Sequence, residues 1–331
     1  MENPEQFRPS GNQAAPEATD AAAGVSRARF CVIANAGSGR GAATGDNPDL
    51  EQALTAFSGS FDLVVVEPGQ GVEQAARTAL DRGYEAVVAA GGDGTICGVA
   101  AILAGTGVPM GVVPMGTFNY FARSLGLPQN AAEALRVVVE GRPQPVRSAT
   151  VNDRLFLNNA SLGAYASILE TRERVYQRWG RSRLAAYWSV LVTLVHFRRP
   201  LSMRLTVDGH ERHRRTPLAF VVNNAYQLEQ MGLEGADCIG AGKFVLLVAP
   251  DCGRMGLLRR AFSLANHSLE PDRDFDLLCG REITIATRRI RRLVARDGER
   301  DILRNPFTFR LHDDALLVVL PVGAQSTGQV R

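Results

Sequence analysis

The first half of the sequence alternates short runs of β-favouring apolar residues with segments whose apolar positions recur at helical spacing. Four such runs are predicted strands: Phe30–Ala34, Phe61–Val66, Ala86–Ala90 and Met110–Val113. The intervening segments are predicted helices, because they carry start and stop signals such as proline in a first turn and glycine after a last turn. Strands that alternate with helices need crossover connections, which produce a parallel sheet covered on both faces.

The second half shows a different pattern, in which short β-favouring runs follow one another. The predicted strands are Arg154–Leu157, Met203–Val207, Leu218–Val222, Phe244–Val248, Ile283–Ala286, Ile290–Val294, Phe307–Arg310 and Leu316–Leu320. Aspartate-glycine pairs at Asp208-Gly209 and Asp297-Gly298 are typical of tight hairpin turns and separate several of these runs. The pattern predicts a sandwich of antiparallel sheets.

The two patterns divide the chain of 331 residues into four predicted parts. An α/β domain covers residues 27–147, and a mainly antiparallel β-sandwich domain covers residues 148–322. Residues 1–26 are predicted to be a disordered tail, because Pro, Ala, Gly and acidic residues cannot build a core, and residues 323–331 are a flexible tail. The apolar content of 45% is sufficient for two cores.

Charge and cation composition exclude several classes of protein. The net charge of +3 is too small for a general nucleic-acid binder, so no nucleic-acid partner is expected. Lys243 is the only lysine of the sequence, which excludes the G-x-x-x-x-G-K-[ST] phosphate loop and most Schiff-base sites. The sequence has no signal-peptide pattern and no apolar run of about 18 residues, so we expect a cytoplasmic protein.

Five cysteines are widely spaced and include no C-x-x-C pair. They are Cys31, Cys97, Cys238, Cys252 and Cys279. This arrangement predicts buried small apolar residues in a reducing compartment, and not a disulfide or zinc framework.

Three strand-to-helix turns of the first half are rich in glycine. They are Asn35–Gly41, Gly91–Thr95 (Gly-Gly-Asp-Gly-Thr, with a helix predicted to begin near Ile96) and Pro114–Asn119. Because ligands bind outside the carboxyl ends of parallel strands, we expect the turns to lie together at one edge. Glycine admits close approach of an anion and a helix start offers free N–H groups, so the turns could cradle a polyphosphate. The alternative is that the glycines merely make tight turns.

Asp93 is the residue of these turns that carries chemistry. A carboxylate within a phosphate cradle repels the ligand unless it holds Mg²⁺ or accepts a proton from the attacking hydroxyl. Asp93 and Thr95 also favour helix-cap positions, so a cap is the structural alternative, and the two roles can coexist.

Together, Gly91–Thr95, Asn35–Gly39 and Gly116–Gly126 resemble the diacylglycerol kinase catalytic-domain family, which includes bacterial lipid kinases and sphingosine kinases. The order and spacing of the three motifs match, and the resemblance continues to about Pro321. It implies an enzyme that transfers the γ-phosphate of ATP to a lipid hydroxyl, diacylglycerol by default. It also implies that the nucleotide binds in the cleft between the two domains and that Mg²⁺ is a second cofactor.

The turns and the resemblance together give a set of candidate nucleotide-binding residues. They are Asn35, Ser38, Gly39, Gly91, Gly92, Asp93, Gly94, Thr95, Gly116, Thr117 and Asn119. The family also carries an Asp-Gly-Glu motif near its C-terminus, which Asp297-Gly298-Glu299 matches. By this resemblance Glu299 accepts the hydroxyl proton, and Asp297 either supports it or joins Asp93 in binding Mg²⁺. Local sequence alone favours an ordinary hairpin turn, as at Asp208-Gly209.

The sequence departs from the family at an accessory Mg²⁺ site that some bacterial members have. Tyr120 stands where many relatives have an aspartate, and Ala241 replaces the acid of an Asp-Gly pair. We therefore expect this site to be lost, although Asp237 lies close enough to be a weak substitute. A threonine that helps to hold the nucleotide is also absent near Glu67-Pro68.

Residues 171–200 combine arginines with an aromatic-rich apolar segment. The arginines are Arg172, Arg174, Arg178, Arg181, Arg183, Arg198 and Arg199. An apolar helix flanked by arginines could dock on an anionic leaflet and admit an acyl chain, and a core helix with solvated ends fits the pattern equally well. The expected partners are a lipid alcohol substrate and the inner face of the membrane, contacted peripherally.

Two other functions stay open at this point. One is a kinase for a soluble acceptor, as in the related NAD kinases; the arginine-flanked segment counts against it. The other is an inactive nucleotide or lipid sensor, against which Asp93, Asp297 and Glu299 count. The pairs Asn158-Asn159 and Asn223-Asn224 end two strands, but the sequence assigns them no role.

Overall fold

A computed structural model describes residues 29–35, 48–57, 59–67, 71–163, 200–253 and 275–323, with Met255, Gly256 and Arg259. Several predictions fall on residues outside this part of the chain. They concern the tail 1–26, residues 324–331 of the other tail, the glycine-loop residues Ser38 and Gly39, and the arginine-flanked segment 171–199.

The first half forms the predicted alternation of strands and helices. Its elements are β1 (Phe30–Asn35), α1 (Pro48–Thr55), β2 (Phe61–Val66), α2 (Val72–Arg82), β3 (Ala86–Gly91), α3 (Asp93–Leu103), β4 (Met110–Pro114), α4 (Tyr120–Ser124) and α5 (Ala131–Glu140). The strands pair in parallel in the order β2-β1-β3-β4. Alternate residues of β1 face opposite sides: Cys31 and Ile33 pack with α2 and α3, whereas Val32 and Ala34 pack with α1 and α5. Both faces of the sheet are therefore covered, as predicted.

The helices begin and end at recognisable signals. The side chain of Asn130 accepts hydrogen bonds from the first turn of α5, and α2 ends at Gly83 in the left-handed conformation. Helix α3 starts at Asp93, three residues before the predicted start at Ile96. The reason is that the carbonyl of Gly92 accepts the N–H of Ile96 at 3.0 Å, which closes a helical turn over Asp93-Gly94-Thr95. No helix among the described residues has the length and apolar character needed to cross a membrane.

The second half consists mainly of antiparallel strands. Its elements are β5 (Arg142–Val151), β6 (Arg154–Phe156), β7 (Asn159–Gly163), β8 (Leu201–Val207), β9 (His210–Thr216), β10 (Leu218–Val222), α6 (Ala225–Gln230), α7 (Ala236–Gly240), β11 (Phe244–Val248), β12 (Asp276–Gly280), β13 (Glu282–Thr287), β14 (Arg291–Arg296), β15 (Glu299–Arg304) and β16 (Phe307–Leu320). One sheet has the order β12-β11-β10-β7-β14-β15. Its Leu162 and Phe244 share a core with Phe156, Phe307 and Phe309 of the facing sheet. The predicted α/β domain followed by a β-sandwich is confirmed.

Strand β16 joins the two halves in one sheet. Near its end Val318 lies opposite Met110 of β4, in parallel, and near its start Phe309 lies opposite Ile283 of β13, antiparallel. Strand β5 pairs along most of β16, with an irregularity between His312 and Leu316. The boundary predicted between residues 147 and 148 falls within β5 and stays a prediction. Through β16, which pairs with the last parallel strand β4, the first sheet continues directly into the sandwich.

The prediction for the cysteines is wrong for one pair. Cys238 of α7 and Cys279 of β12 form a disulfide, with Cα atoms 6.0 Å apart. The two residues are 41 positions apart, and they meet because β12 pairs with β11, which follows α7. Cys31 and Cys97 are buried thiols, as expected, and Cys252 is half-buried.

Candidate active site

Two of the glycine-rich turns contact each other at the carboxyl edge of the parallel sheet. A Cβ built on Gly116 would lie 2.7 Å from the Cα of Gly92, so the two backbones leave no room for a side chain there. The N–H of Met115 donates to the carbonyl of Gly91 at 2.8 Å. A Cβ on Gly91 would in turn lie 2.6 Å from the side chain of Thr95. Glycine is therefore required at Gly116 by the neighbouring backbone and at Gly91 by the side chain of Thr95.

The first glycine-rich turn reaches the same place through Asn35. Its Nδ2 donates to the Oγ1 of Thr95 at 3.3 Å, and Thr95 is buried in the first turn of α3. The end of β1 is thus connected to the start of α3. Ser38 and Gly39 lie outside the described residues, so their predicted role stays a prediction.

The third turn is shaped by Asn119. This residue is buried and adopts the left-handed conformation, with φ of 51°. Its Oδ1 accepts the N–H of Gly116 at 2.8 Å, and its Nδ2 donates to Gln129 at 3.1 Å. Thr117, in contrast, is exposed. Asn119 therefore holds the turn together, while Thr117 is accessible to a ligand.

Asp93 connects the start of α3 to α4 and to the second half. Its Oδ1 accepts the N–H of Phe121 at 3.2 Å and the Nδ2 of Asn158 at 3.3 Å, whereas its Oδ2 has no partner among the described residues. The cap position of α3 is occupied by Gly92, and no side chain caps this helix. The contacts therefore do not support the alternative that Asp93 is a helix cap.

Asp297 forms the hairpin turn between β14 and β15 together with Gly298, both at positive φ. Its buried carboxylate accepts the backbone N–H groups of Leu157, Asn158 and Asn159 at 2.6, 2.9 and 3.0 Å. Burial raises the pKa of Asp297, and the three N–H groups partly offset this effect by stabilising the charged form. Both carboxylate oxygens are thus occupied by the protein itself.

Glu299 follows this turn as the first residue of β15, and its side chain is exposed. A Cβ built on Gly94 would lie 3.3 Å from the Oε1 of Glu299. The carboxylate therefore lies against the first turn of α3. The structure brings together Asp93, Gly94 and the Asp297-Gly298-Glu299 turn, which are about 200 positions apart in the sequence.

A buried chain of amide side chains leads to Asp93, and sequence analysis assigned these residues no role. The Oδ1 of Asn158 accepts the Nδ2 of Asn224 at 2.7 Å, and the Oδ1 of Asn224 accepts the N–H of Gln227 at 3.1 Å. The Nδ2 of Asn159 donates to Gln227 at 3.0 Å. The two Asn-Asn pairs at strand ends were the available signal, but their partners are set by strand pairing between β7 and β10.

The donors present fit a magnesium ion that is bound mainly through phosphates. The described residues contain no group of three His, Cys, Asp or Glu side chains that could hold a metal ion alone. Kinases typically bind Mg²⁺ through one or two carboxylates together with substrate phosphates. Asp93 fits this requirement through its Oδ2, whereas the oxygens of Asp297 are occupied by N–H groups.

Two arginines, Arg281 and Arg147, lie beside Gly242, and the expected loss of the accessory metal site stays a prediction. The Nη1 of Arg281 donates to the carbonyl of Gly242 at 3.2 Å. Asp313 pairs with both Arg281 and Arg147, at 2.7 and 3.0 Å. At the other expected position, the ring of Tyr120 stacks on Phe118. Cationic and aromatic groups thus stand near the places where the family has acids.

The first half of the chain matches a known family of domains. The family model of the diacylglycerol kinase catalytic domain matches residues 29–151. Residues 29–151 of this chain are thus similar to a diacylglycerol kinase catalytic domain. The resemblance inferred from the three motifs is therefore confirmed.

The curated relatives match this chain over part of their length. The chain is 34% identical over 139 residues to a diacylglycerol kinase of Mycobacterium tuberculosis (strain ATCC 25618 / H37Rv). The match covers 40% of this chain and 44% of that protein. It is 42% identical over 103 residues to a protein of Cronobacter sakazakii named "Probable lipid kinase YegS-like". That match covers 29% of this chain and 34% of the Cronobacter protein. The chain thus spans less than half the length of these relatives.

A solved structure extends the likeness in fold beyond residues 29–151. A crystal structure described as a diacylglycerol kinase from Bacillus anthracis str. Sterne aligns with 88% of this chain and 96% of its own chain, with a TM-score of 0.63. The sequence identity is 21%, so the likeness concerns the fold. It includes both the α/β part and the antiparallel part.

Proposed function

We propose that this protein is an ATP-dependent lipid kinase that transfers the γ-phosphate of ATP to a lipid hydroxyl, diacylglycerol-like by default. The observation that carries the proposal is the position of Glu299 beside Gly94, where a Cβ would lie 3.3 Å from the Oε1 of Glu299. An exposed carboxylate thus stands at the first turn of a helix that follows glycine-rich backbone. Phosphoryl transfer to an alcohol requires these two parts, a proton acceptor and a cradle for phosphate.

The phosphates of ATP would bind to the backbone of Gly91–Thr95. The start of a helix presents unpaired N–H groups and the positive end of the helix dipole. Helix α3 has eleven residues, and its first N–H groups receive no side-chain cap from Gly92. The close approach of Gly92 and Gly116 leaves no room for a side chain at Gly116, so the neighbouring turn presents only backbone at this point.

Asp93 would hold the magnesium ion of the proposed reaction. Bound there with the phosphates, Mg²⁺ supplies charge neutralisation and orientation of the transferred group. The protein prepares the carboxylate for this role, because the N–H of Phe121 and the Nδ2 of Asn158 both bind its Oδ1. These bonds fix the orientation of Asp93 and leave its Oδ2 without a partner among the described residues.

Glu299 would accept the proton of the lipid hydroxyl. Its exposure makes the carboxylate accessible to an acceptor that enters between the two halves. Asp297, two residues earlier, fixes the turn through three backbone N–H groups of the segment that leads into β7. Of the two roles that the sequence left open for Asp297, support of Glu299 is the one these contacts favour.

A lipid acceptor is supported by the relatives and by composition. Two relatives are named as a diacylglycerol kinase and a lipid kinase. The arginine-flanked apolar segment 171–200 would place the protein peripherally and reversibly on an anionic membrane surface, the inner face of the membrane. The acceptor would then reach Glu299 from the membrane.

The direct test is transfer of labelled γ-phosphate from ATP into a total lipid extract, with and without Mg²⁺, followed by chromatographic separation. A labelled lipid that requires Mg²⁺ would support the proposal and identify the acceptor. Asp93→Asn should lose this activity, while Asp153→Asn, an exposed position at positive φ that asparagine tolerates, should keep it. ATP binding without any labelled lipid would instead favour a soluble acceptor or a nucleotide sensor.

A further inference from the structure

A cavity of about 190 Å³ lies between α4, α6, α7 and β5. Asp93, Gly94 and Glu299 do not line it, so it is distinct from the proposed transfer site. Much of its wall is apolar, with contributions from Phe121 and Leu125. Its volume is below the roughly 300–1,000 Å³ of pockets for drug-sized ligands, so it suits a small chemical group.

One residue that lines this cavity, Asn223, has a buried hydrogen-bond acceptor without a partner among the described residues. Asn223 lines the cavity and is only 8% exposed. Its Nδ2 donates to the carbonyl of Leu157 at 3.0 Å, but its Oδ1 is buried and has no hydrogen-bond partner in the described part of the chain. An unpaired buried acceptor is unfavourable, so a bound ligand that supplies a donor would be stabilised here.

The charged groups of the cavity favour an anion. Two arginines, Arg123 and Arg147, and one carboxylate, the exposed Glu229, line it. Arg147 is already paired with Asp313 and also donates to the carbonyl of Ile239. Arg123 donates one hydrogen bond, from its Nε to the carbonyl of Phe118. Its two terminal nitrogens have no hydrogen-bond partner among the described residues. A guanidinium with both terminal nitrogens available matches the geometry of a phosphate.

We infer that this cavity binds a small phosphate ester that also carries a hydroxyl group, such as a glycerol phosphate moiety. The hydroxyl would donate to the Oδ1 of Asn223, the phosphate would accept from Arg123, and the carbon skeleton would pack on the apolar wall. Asn224 lines the same cavity and donates to Asn158, which in turn donates to Asp93. A ligand in the cavity would therefore influence the position of the Asp93 carboxylate through these two hydrogen bonds.

The test measures binding in the absence of ATP, so it does not depend on phosphoryl transfer. Glycerol 3-phosphate and neutral glycerol are titrated calorimetrically into the full-length protein, and vesicles of phosphatidylglycerol are compared with vesicles of phosphatidylcholine. We expect glycerol 3-phosphate or phosphatidylglycerol to bind and their neutral counterparts to bind much more weakly. Arg123→Gln should weaken this binding at least about tenfold, because a charge-assisted bond is lost. Arg136→Gln, an exposed arginine on α5, is the matched control.

The outcomes separate the sources of the ligand. Binding of free glycerol 3-phosphate that depends on Arg123 supports the site with a soluble ligand, and binding confined to phosphatidylglycerol vesicles supports it with a lipid headgroup. Absence of both, or equal effects of Arg123→Gln and Arg136→Gln, overturns the inference. Asn223→Asp, which places a negative charge in the cavity, should abolish binding, and unchanged binding also overturns it. Intact binding in a protein that transfers no phosphate would reject only the proposed kinase function.

Discussion

The Nδ2 of Asn158 donates to the Oδ1 of Asp93 at 3.3 Å, although the two residues belong to different halves of the chain. The backbone N–H of the same asparagine donates to Asp297 at 2.9 Å. One residue thus contacts the aspartates of both motifs, Gly-Gly-Asp-Gly-Thr and Asp-Gly-Glu. The position of the proposed base relative to the phosphate cradle depends on this contact.

We expect Asn158→Asp to lower kcat at least about tenfold. The variant keeps the backbone bond to Asp297 but replaces the donor to Asp93 with a second carboxylate, and like charges at this distance repel. The measurement is the rate of phosphate transfer into the lipid acceptor. Asn130→Asp is the control, since aspartate caps α5 as well as asparagine does. Unchanged kcat in Asn158→Asp would show that the contact does not position the site.

Gly94→Ala should lower the kinase activity without lowering the stability of the protein. The added Cβ would lie 3.3 Å from the Oε1 of Glu299 and would shift that carboxylate by a few tenths of an ångström. Alanine is favoured over glycine within a helix by about 1 kcal/mol, so the free energy of unfolding should stay equal or rise. We expect a loss of activity of about tenfold or more without loss of stability.

The control for this prediction is Gly98→Ala in the same helix. Its Cβ would also lie 3.3 Å from a neighbour, but the neighbour is the Cγ1 of Val72. This variant should keep its activity. Equal activity of the two variants would contradict the proposed role of Glu299 beside Gly94.

Asp297 should give the stability of the protein a characteristic pH dependence. Burial raises its pKa above the ordinary value of 3.8, so the folded state binds this proton more tightly than the unfolded state. Its contribution to stability is therefore present at low pH and is lost as the pH rises through the folded-state pKa. Asp297→Asn lacks this titration, so the difference in unfolding free energy, wild type minus variant, should fall as the pH rises from about 3.8.

Urea unfolding at a series of pH values measures this difference. The exposed Asp153→Asn is the control and should show no comparable change. A difference that stays constant or increases with pH would mean that the carboxylate of Asp297 is not destabilised by burial.

The disulfide between Cys238 and Cys279 can be tested by counting thiols. The unreduced, denatured protein should show three reactive thiols of its five cysteines. Cys238→Ser should lower the unfolding free energy by about 2–4 kcal/mol, because the bond restricts the unfolded chain. This difference should vanish under reducing conditions. Five thiols in the unreduced protein would contradict the pairing.

Strands were predictable from sequence where an apolar run marks them, and less so where most of their residues are polar. β2, β10 and β11 have the predicted bounds, because apolar runs end there at turn residues. β9 was not predicted, since six of its seven residues are exposed at the end of the sheet order. Two predicted runs, Phe307–Arg310 and Leu316–Leu320, form the single strand β16, because β5 pairs with both across the polar residues between them.

The candidate site was predictable where strand order decides it. Parallel strands bring their carboxyl ends to one edge, so the contact of Gly92 with Gly116 follows from the pattern. The sequence does not show which Asp-Gly turn is part of the site. Asp208 and Asp297 both precede glycine in left-handed turns, with φ of 45°. Asp208 is exposed, whereas Asp297 is buried at the start of β7, and only the fold distinguishes them. The hydrogen bond between Asn224 and Asn158 was also not predictable, because the two residues are 66 positions apart and meet only in the fold.

The most direct test of the account is the rate of phosphate transfer by Glu299→Gln in a single turnover with the identified lipid acceptor. We expect a rate about 10²–10⁴-fold below wild type, the range typical for loss of a general base. ATP binding should be retained, and the unfolding free energy should change by less than about 0.5 kcal/mol, since the side chain is exposed. Glu140→Gln, an exposed position on α5, should match wild type. A folded Glu299→Gln protein with the wild-type rate would contradict the central claim that Glu299 accepts the proton.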